Sequence, residues 1–145
     1  MATRTGVGVE ALEDAVLMGE HRSMAPRVLH HLAFRTHDVE RLATFYRDIV
    51  GLAPRPGGTE GRSVWFALGE SIVMIERAEA GETLIASTSM DLVAFRVTAD
   101  ERRSAHNTLA AAKIVVEGET TFTTYFRDPD GRRVAFSHYP EEPST

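Results

Sequence analysis

Cysteine is absent from this 145-residue sequence, which excludes disulfide bonds, thiolate metal sites and cysteine nucleophiles. The apolar runs are far too short to span a membrane, and the sequence contains no run of five or more basic residues. The formal charge of −5 also gives no reason to expect nucleic acid as a partner. We therefore expect a cytoplasmic protein whose partner is a small molecule, not a nucleic acid or a membrane.

One short pattern occurs twice in the sequence. The first copy is His31-Leu-Ala-Phe-Arg35 and the second is Leu92-Val-Ala-Phe-Arg96. Each copy has a pattern that predicts a strand. It is followed by a polar link and then by a segment that contains Glu-Arg and whose apolar residues have helical spacing. The repetition predicts a chain built from two copies of one strand-and-helix module.

The predicted order of elements is β-α-β-β-β, written twice. Asp38 is a good N-cap for a helix that runs to about Val50, and Asp128-Pro-Asp-Gly131 predicts a tight turn before the last strand. The Pro- and Gly-rich stretch 54–62 predicts a loop, and 114–117 predicts a short strand. We expect an α+β fold in which two βαβββ modules, each with its helix on the outer face, form an eight-stranded cup.

The expected domain organisation is an N-terminal extension at 1–27, a single domain at 28–139 and a tail at 140–145. Within the domain, module one spans 28–77, a linker spans 78–89 and module two spans 90–139. The extension contains Val9 to Met18, whose apolar residues have helical spacing, so we expect a short helix there. A frayed extension is the alternative.

Alternation along the strands assigns side chains to the inner face of the cup. On this basis the cup residues are His31, Ala33, Arg35, Met74, Glu76, Leu92, Ala94, Arg96, Arg133, Ala135 and Ser137. His138 has the opposite parity and would reach the cup only if the last strand contained a bulge.

The runs His31 to Leu52 and Tyr125 to Gly131 resemble vicinal-oxygen-chelate proteins. These include glyoxalase I, methylmalonyl-CoA epimerase, extradiol dioxygenases and the fosfomycin- and bleomycin-resistance proteins. The resemblance implies a paired βαβββ fold around a divalent metal, whose ligands lie on the first, fourth, fifth and eighth strands. The matching positions in this sequence are His31, Glu76, Leu92 and Ala135.

Leu92 and Ala135 cannot bind a metal, so the resemblance implies that half of the usual site is missing. We expect His31 and Glu76 to be the catalytic residues, either as ligands of a weakly bound divalent metal or as a metal-free acid–base pair. The competing structural interpretation is a salt bridge from Glu76 to an arginine. The expected ligand-binding residues are Arg35, Trp65, Met74, Leu92, Arg96, Tyr125 and Ala135.

The predicted function is that of a glyoxalase- or bleomycin-resistance-like protein that binds or sequesters a small molecule. Standard metal-dependent glyoxalase chemistry is less favoured because two of the four metal positions are lost. The alternative is a lyase, isomerase or oxygenase that uses His31 and Glu76. A third interpretation is a structural or regulatory dimer with a vestigial pocket. The resemblance also implies a homodimer.

Overall fold

The computed structural model describes residues 24–141, so the helix expected at Val9 to Met18 lies outside the described residues. The first βαβββ unit comprises β1 (His31–Thr36), α1 (Val39–Asp48), β2 (Ala53–Thr59), β3 (Ser63–Leu68) and β4 (Ser71–Arg77). The second comprises β5 (Leu92–Arg96), α2 (Ala99–Ala111), β6 (Gly118–Glu119), β7 (Thr123–Arg127) and β8 (Arg133–Ser137). The predicted α+β class and the duplicated order are confirmed. No helix in the described part of the chain is long and apolar enough to cross a membrane.

Each unit forms one four-stranded sheet, with the strand orders β1-β4-β3-β2 and β5-β8-β7-β6. The pairs β1/β4 and β5/β8 are parallel, and the remaining pairs are antiparallel. Within residues 24–141, the two strands that carry the repeated Ala-Phe-Arg pattern, β1 and β5, are therefore edge strands. In that part of the chain, each leaves one row of backbone hydrogen-bonding groups unpaired by a neighbouring strand.

The two helices differ in how much of their surface they bury. Helix α1 begins after Asp38, whose carboxylate accepts a hydrogen bond from the Arg41 backbone N–H at 3.1 Å. Helix α2 begins after Thr98, which forms a reciprocal capping box with Glu101. In α2 a single residue, Leu109, is buried. The buried residues of α1 are Val39, Leu42, Ala43, Phe45 and Tyr46.

The helix-bearing sides of the two units share one core. Phe45 of α1 lies 6.1 Å from Phe126 of β7, and Tyr46 lies 6.4 Å from Phe95 of β5, measured between ring centroids. Helix α1 is thus turned toward the junction between the units, whereas the sequence led us to expect it on an outer face. There the Phe45 and Tyr46 rings are removed from water by aromatic side chains of both units, and this burial of apolar area stabilises the arrangement.

A buried polar group also joins the two units. The Tyr46 hydroxyl donates to Asp128 Oδ2 at 2.8 Å, and Arg132 Nη1 donates to the same oxygen at 2.6 Å. The Arg132 guanidinium lies 4.6 Å from the centroid of the Phe34 ring, and its Nη2 donates to the Arg35 carbonyl. The Asp-Pro-Asp-Gly turn therefore holds module two against both α1 and β1.

Two strands differ from the sequence prediction. The stretch Pro54 to Thr59, expected to be a loop, belongs to β2 and is exposed along its length. An edge strand tolerates Pro54 and Pro56 because proline lacks only the N–H that would face away from the sheet. Residues 114–117 precede the two-residue β6, because Ile114 and Val116 pack on the core without entering the ladder. Glu117 is the first of these residues to join the ladder, since its N–H donates to the Tyr125 carbonyl at 2.8 Å.

Candidate functional site

Each sheet has one face that packs against a helix and one that does not, which we call the helix-free face. The predicted catalytic residues His31 and Glu76 both lie on the helix-free face of the first sheet, but at opposite ends of its strands. In the parallel register of β1 and β4, Ile72 lies beside His31, and Arg35 lies beside Glu76. His31 and Glu76 are therefore offset by four residues along the strands, which corresponds to about 13 Å at the rise of a β-strand. The sheet does not bring the two side chains together as a His–carboxylate pair.

The immediate neighbour of His31 is another histidine. The Nδ1 atoms of His30 and His31 lie 2.9 Å apart, and the two rings meet edge to face with centroids 5.2 Å apart. Both residues are exposed at the start of β1. One imidazole must donate and the other must accept, so the pair shares one proton at this contact.

Glu76 is engaged by an arginine. Arg35 Nη1 donates to Glu76 Oε2 at 3.3 Å, which is the salt bridge that the structural interpretation anticipated. The main partner of Arg35 is, however, Glu82 in the connection between the units. Arg35 Nε and Nη2 donate to the two Glu82 oxygens at 2.8 Å each, in the bidentate geometry that guanidinium groups favour.

This bidentate pair sets the ionisation of the connection. The hydrogen bond from Arg35 and the one from the Glu79 backbone N–H lower the pKa of Glu82 to about 2. The two carboxylates likewise raise the pKa of Arg35. The connection is therefore pinned to the sheet face, and Arg35 has its guanidinium committed to protein carboxylates.

Two of the expected ligand-binding residues are neighbours on this face. Trp65 of β3 pairs with Met74 of β4, and both are partly buried. The backbone of Gly57 in β2 passes directly against the Trp65 ring, with a φ of +133° that favours glycine. The Trp65 Nε1 is buried and has no hydrogen-bond partner within residues 24–141. The face thus offers an apolar surface made by an indole and a thioether.

The helix-free face of the second sheet carries the two positions at which the expected metal ligands are replaced. Leu92 is 41% exposed at the start of β5, whereas Ala135 in the middle of β8 is fully buried. Ala135 pairs with Ala94 on one side and with Tyr125 on the other. Neither replaced position offers an atom that could bind a metal.

Sequence reasoning placed Arg133 on this face but assigned it no role. Its guanidinium lies 4.3 Å from the centroid of the Tyr125 ring, and its Nε is 3.4 Å from Glu117 Oε1. In the register of the sheet Arg133 lies directly beside Leu92. The available signal was its parity: Arg133 follows the Asp-Pro-Asp-Gly turn and alternates with Ala135. Arg96, the remaining expected ligand-binding residue, is exposed at the end of β5.

His138 has no place in the site. The register between β7 and β8 runs without a break, so the bulge that would have turned His138 into the cup does not form. The imidazole is instead buried, with Nδ1 at 2.7 Å from the Glu141 carbonyl and Nε2 at 3.2 Å from Arg102 Nη1. Because an arginine can only donate, Nε2 is the acceptor and Nδ1 carries the proton.

The main cavities of the described chain lie away from the four expected metal positions, and Arg96 is the one expected ligand-binding residue that lines either of them. A cavity of about 680 Å³ opens between α1 and the segment before β6, and one of about 630 Å³ opens between the end of α1 and α2. Neither is lined by His31, Glu76, Leu92 or Ala135.

The side chains do not fit the divalent metal that the resemblance implies. Within residues 24–141 there is no group of three or more His, Cys, Asp or Glu side chains that could hold a metal ion. His31 and Glu76 are separated along the sheet, and Glu76 already pairs with Arg35. Two separated donors are fewer than the three or four that a held metal generally needs.

Comparison with known proteins identifies the family. A family model described as the Glyoxalase/Bleomycin resistance protein/Dioxygenase superfamily matches residues 28–136. The chain belongs to this superfamily. No curated protein sequence matches the chain significantly.

Solved structures of the superfamily have the same fold. A glyoxalase/dioxygenase from Nostoc punctiforme is 22% identical with a TM-score of 0.66, covering 81% of this chain and 97% of that one. Lactoylglutathione lyase from Agrobacterium tumefaciens is 20% identical with a TM-score of 0.61, covering 79% and 95%. The fosfomycin resistance protein FosX from Listeria monocytogenes is 13% identical with a TM-score of 0.64, covering 83% and 97%. A FosX mutant has been solved with Mn(II) and a dihydroxypropylphosphonic acid.

Proposed function

We propose that this superfamily member binds or sequesters a small molecule on its helix-free sheet faces, without standard metal-dependent glyoxalase chemistry. The proposal rests on one observation: the side chains of these faces do not supply a complete set of metal ligands. Leu92 and Ala135 stand at two of the four positions that the resemblance assigns to the metal, and His31 and Glu76 are set apart by the strand register. A face without a complete metal site can still contact a ligand through its apolar and aromatic side chains.

The residues proposed to contact the ligand are of two kinds. Trp65, Met74 and Tyr125 supply aromatic and thioether surface for a planar or apolar group. Leu92 is exposed at the place of one missing metal ligand, whereas Ala135 is fully buried, so a ligand reaches Ala135 only if neighbouring side chains move. Arg35 and Arg96 supply cations, Arg35 only where a ligand displaces Glu82, and Arg96 from an exposed position.

The alternative function, a lyase, isomerase or oxygenase, requires His31 and Glu76 to act on the same substrate atoms or to hold one metal. Their offset on β1 and β4 and the engagement of Glu76 by Arg35 give that alternative no support. The proposal of ligand binding needs neither arrangement, so the geometry favours it.

We further propose that a second copy of the chain closes the cup. The support is that, among the described strands, β1 and β5 are edges without a second neighbour and have exposed apolar side chains beside them: Val28 is 78%, Leu29 52% and Met90 64% exposed. Homodimers commonly bury such edges and patches. Light scattering coupled to size-exclusion chromatography tests the dimer; a monomer at high concentration contradicts it.

The proposed location is the cytoplasm, with which a cysteine-free sequence is consistent.

Metal analysis tests the first part of the proposal. Purified protein is dialysed, its Zn, Ni, Mn and Fe content is measured, and its melting temperature is recorded with each metal added. We expect substoichiometric metal and no rise in melting temperature. A stoichiometric metal that survives dialysis contradicts the metal-free proposal.

A thermal-shift screen with a broad compound library tests ligand binding, and a matched pair of variants locates the site. Ala33→Glu places a carboxylate on the exposed helix-free face beside Met74. Val115→Glu places the same charge in the cavity beside α1, where Val115 is 80% exposed. We expect Ala33→Glu to weaken binding of a screening hit and Val115→Glu to leave it unchanged. The opposite result would assign the ligand to the helix-side cavity.

A further inference from the structure

Two arginines on the helix-free face of the second sheet share one carboxylate. Arg127 and Arg133 both contact Glu117, at 2.6 Å from Arg127 Nε and 3.4 Å from Arg133 Nε. Arg127 lowers the pKa of Glu117, so that carboxyl is ionised at neutral pH. Two guanidinium charges against one carboxylate leave this part of the face with an excess of one positive charge.

The guanidinium of Arg127 is fully committed to the protein. Its Nε and Nη2 donate to the two carboxylate oxygens of Glu117, and the distance from Nη2 to Oε1 is 3.0 Å. Its Nη1 donates to the carbonyl oxygens of Ser89 and Gly131, at 2.7 and 3.1 Å. Arg127 therefore fastens the start of the second unit to the turn before β8, and no strong donor remains for a ligand.

Arg133 is held in place but keeps its donors. In the described residues its one acceptor is Glu117, through Nε, so neither Nη atom has a protein partner. Neither Nη atom is among the buried polar atoms that lack a partner, so both are open to solvent. The side chain is 17% exposed, and one face of the guanidinium is seated on the Tyr125 ring. Stacking on an aromatic ring orients a guanidinium without using its N–H donors.

The two Nη donors of Arg133 lie close to the expected metal positions. Arg133 is directly beside Leu92 and two residues from Ala135, the two positions at which the resemblance expects metal ligands. We propose that the Arg133 guanidinium, at this part of the face, binds an oxyanion with two oxygens on one atom, a carboxylate or a phosphonate. This inference rests on the proposed ligand-binding function and assigns the chemical class of the ligand. A guanidinium fork matches such an oxyanion bidentately.

The other arginines on the helix-free faces serve this role less well. Arg35 has both Glu82 oxygens bound at 2.8 Å, so a ligand must first displace a protein carboxylate. Arg96 is exposed and is not stacked on a ring, and the same holds for Arg55, which lies beside Trp65 on the first sheet, so binding would cost either of them more side-chain entropy. Among the described arginines of these faces, Arg133 alone is held in one orientation by an aromatic ring and still has Nη donors without a protein acceptor.

The test is a titration followed by NMR with three probes of one shape: benzoate, phenylphosphonate and neutral benzamide. We expect the two anions to shift signals of the face, including the Arg133 Hε, and benzamide to shift none of them. A tighter response to benzoate assigns a carboxylate, and a tighter response to phenylphosphonate assigns a phosphonate; either supports the proposal. Equal binding of benzamide and benzoate overturns it, as does the absence of any response to both anions.

Variants complete the test. Arg133→Gln is expected to weaken anion binding about tenfold or more, because a charge-assisted bidentate pair is lost. Arg133→Lys keeps the charge but lacks the two parallel N–H donors, so its affinity for the anions is expected to fall between those of the wild type and Arg133→Gln. Arg103→Gln, which removes one exposed positive charge from α2, is the matched control and is expected to bind like the wild type. Unchanged affinity in both Arg133 variants overturns the inference. Library hits that bind wild type and Arg133→Gln equally would sink it while leaving the proposed function intact.

Discussion

The buried Tyr46–Asp128 hydrogen bond provides a sharp test of how the two modules are held together. Tyr46 is fully buried, and its hydroxyl donates across the junction to a carboxylate that Arg132 also binds. Tyr46→Phe removes one hydroxyl and keeps the ring in contact with Phe34, Phe45 and Phe95. The variant therefore isolates the polar contact from the aromatic packing.

The expected loss follows from the charge of the acceptor. Hydrogen bonds to charged groups stabilise proteins by about 1.5–3 kcal/mol, more than neutral pairs do. Asp128 Oδ2 keeps its contact with Arg132 at 2.6 Å, so the carboxylate is not orphaned in the variant. We accordingly expect a loss near the middle of that range, about 2 kcal/mol. In a domain of this size such a loss lowers the melting temperature by about 4–8 °C.

The assay is urea unfolding at pH 7, with Tyr139→Phe as the control. Tyr139 is 67% exposed, and a surface substitution of this kind is expected to change stability by less than about 0.5 kcal/mol. If Tyr46→Phe unfolds with the same midpoint as the wild type, the hydrogen bond does not hold the modules together and the reasoning fails. A changed slope with denaturant would indicate that the variant alters compactness and not only stability.

The same pair of proteins makes a prediction about alkaline pH. Burial, followed by the negative charge of Asp128, raises the pKa of Tyr46 well above its ordinary value. A raised folded-state pKa contributes stability that is present below the unfolded-state pKa, about 10, and is lost as the pH rises beyond it. The stability difference between wild type and Tyr46→Phe should therefore narrow above about pH 10. A difference that stays constant to high pH contradicts the assignment.

Three further outcomes are expected. Because Arg35 lowers the pKa of Glu82 to about 2, their pair should stabilise the protein above about pH 4.5 and weaken as the pH falls toward 2. An acid titration should show Glu82→Gln to be less sensitive across that window than the wild type; equal sensitivity argues against the pair. Gly57→Ala should lower stability and shift the fluorescence of Trp65, because an added Cβ would overlap the indole. Arg102→Ala should speed hydrogen exchange in the turn before β7, whose carbonyls its guanidinium binds, while exchange in α1 is unchanged.

Local features of the structure follow directly from the sequence. Asp38 caps α1 because its carboxylate reaches a backbone N–H three residues later, and this depends only on neighbouring residues. The apolar spacing of α1 likewise predicts the buried positions Val39, Leu42 and Tyr46. The repeated Ala-Phe-Arg pattern predicts that Phe34 and Phe95 face the core, and both are buried. Residue order and alternation suffice for these features because the interactions span a single element.

The arrangement of the candidate site depends on contacts between residues far apart in the sequence. The parallel register of β1 and β4 decides that Glu76 lies beside Arg35 and not beside His31, and a motif cannot supply that register. The competition of Glu82 for Arg35 joins residues 47 positions apart. A family motif gives the positions of side chains along the chain. Only the packed sheets decide which of those side chains share a surface, because parallel pairing is set by the core and not by local propensity.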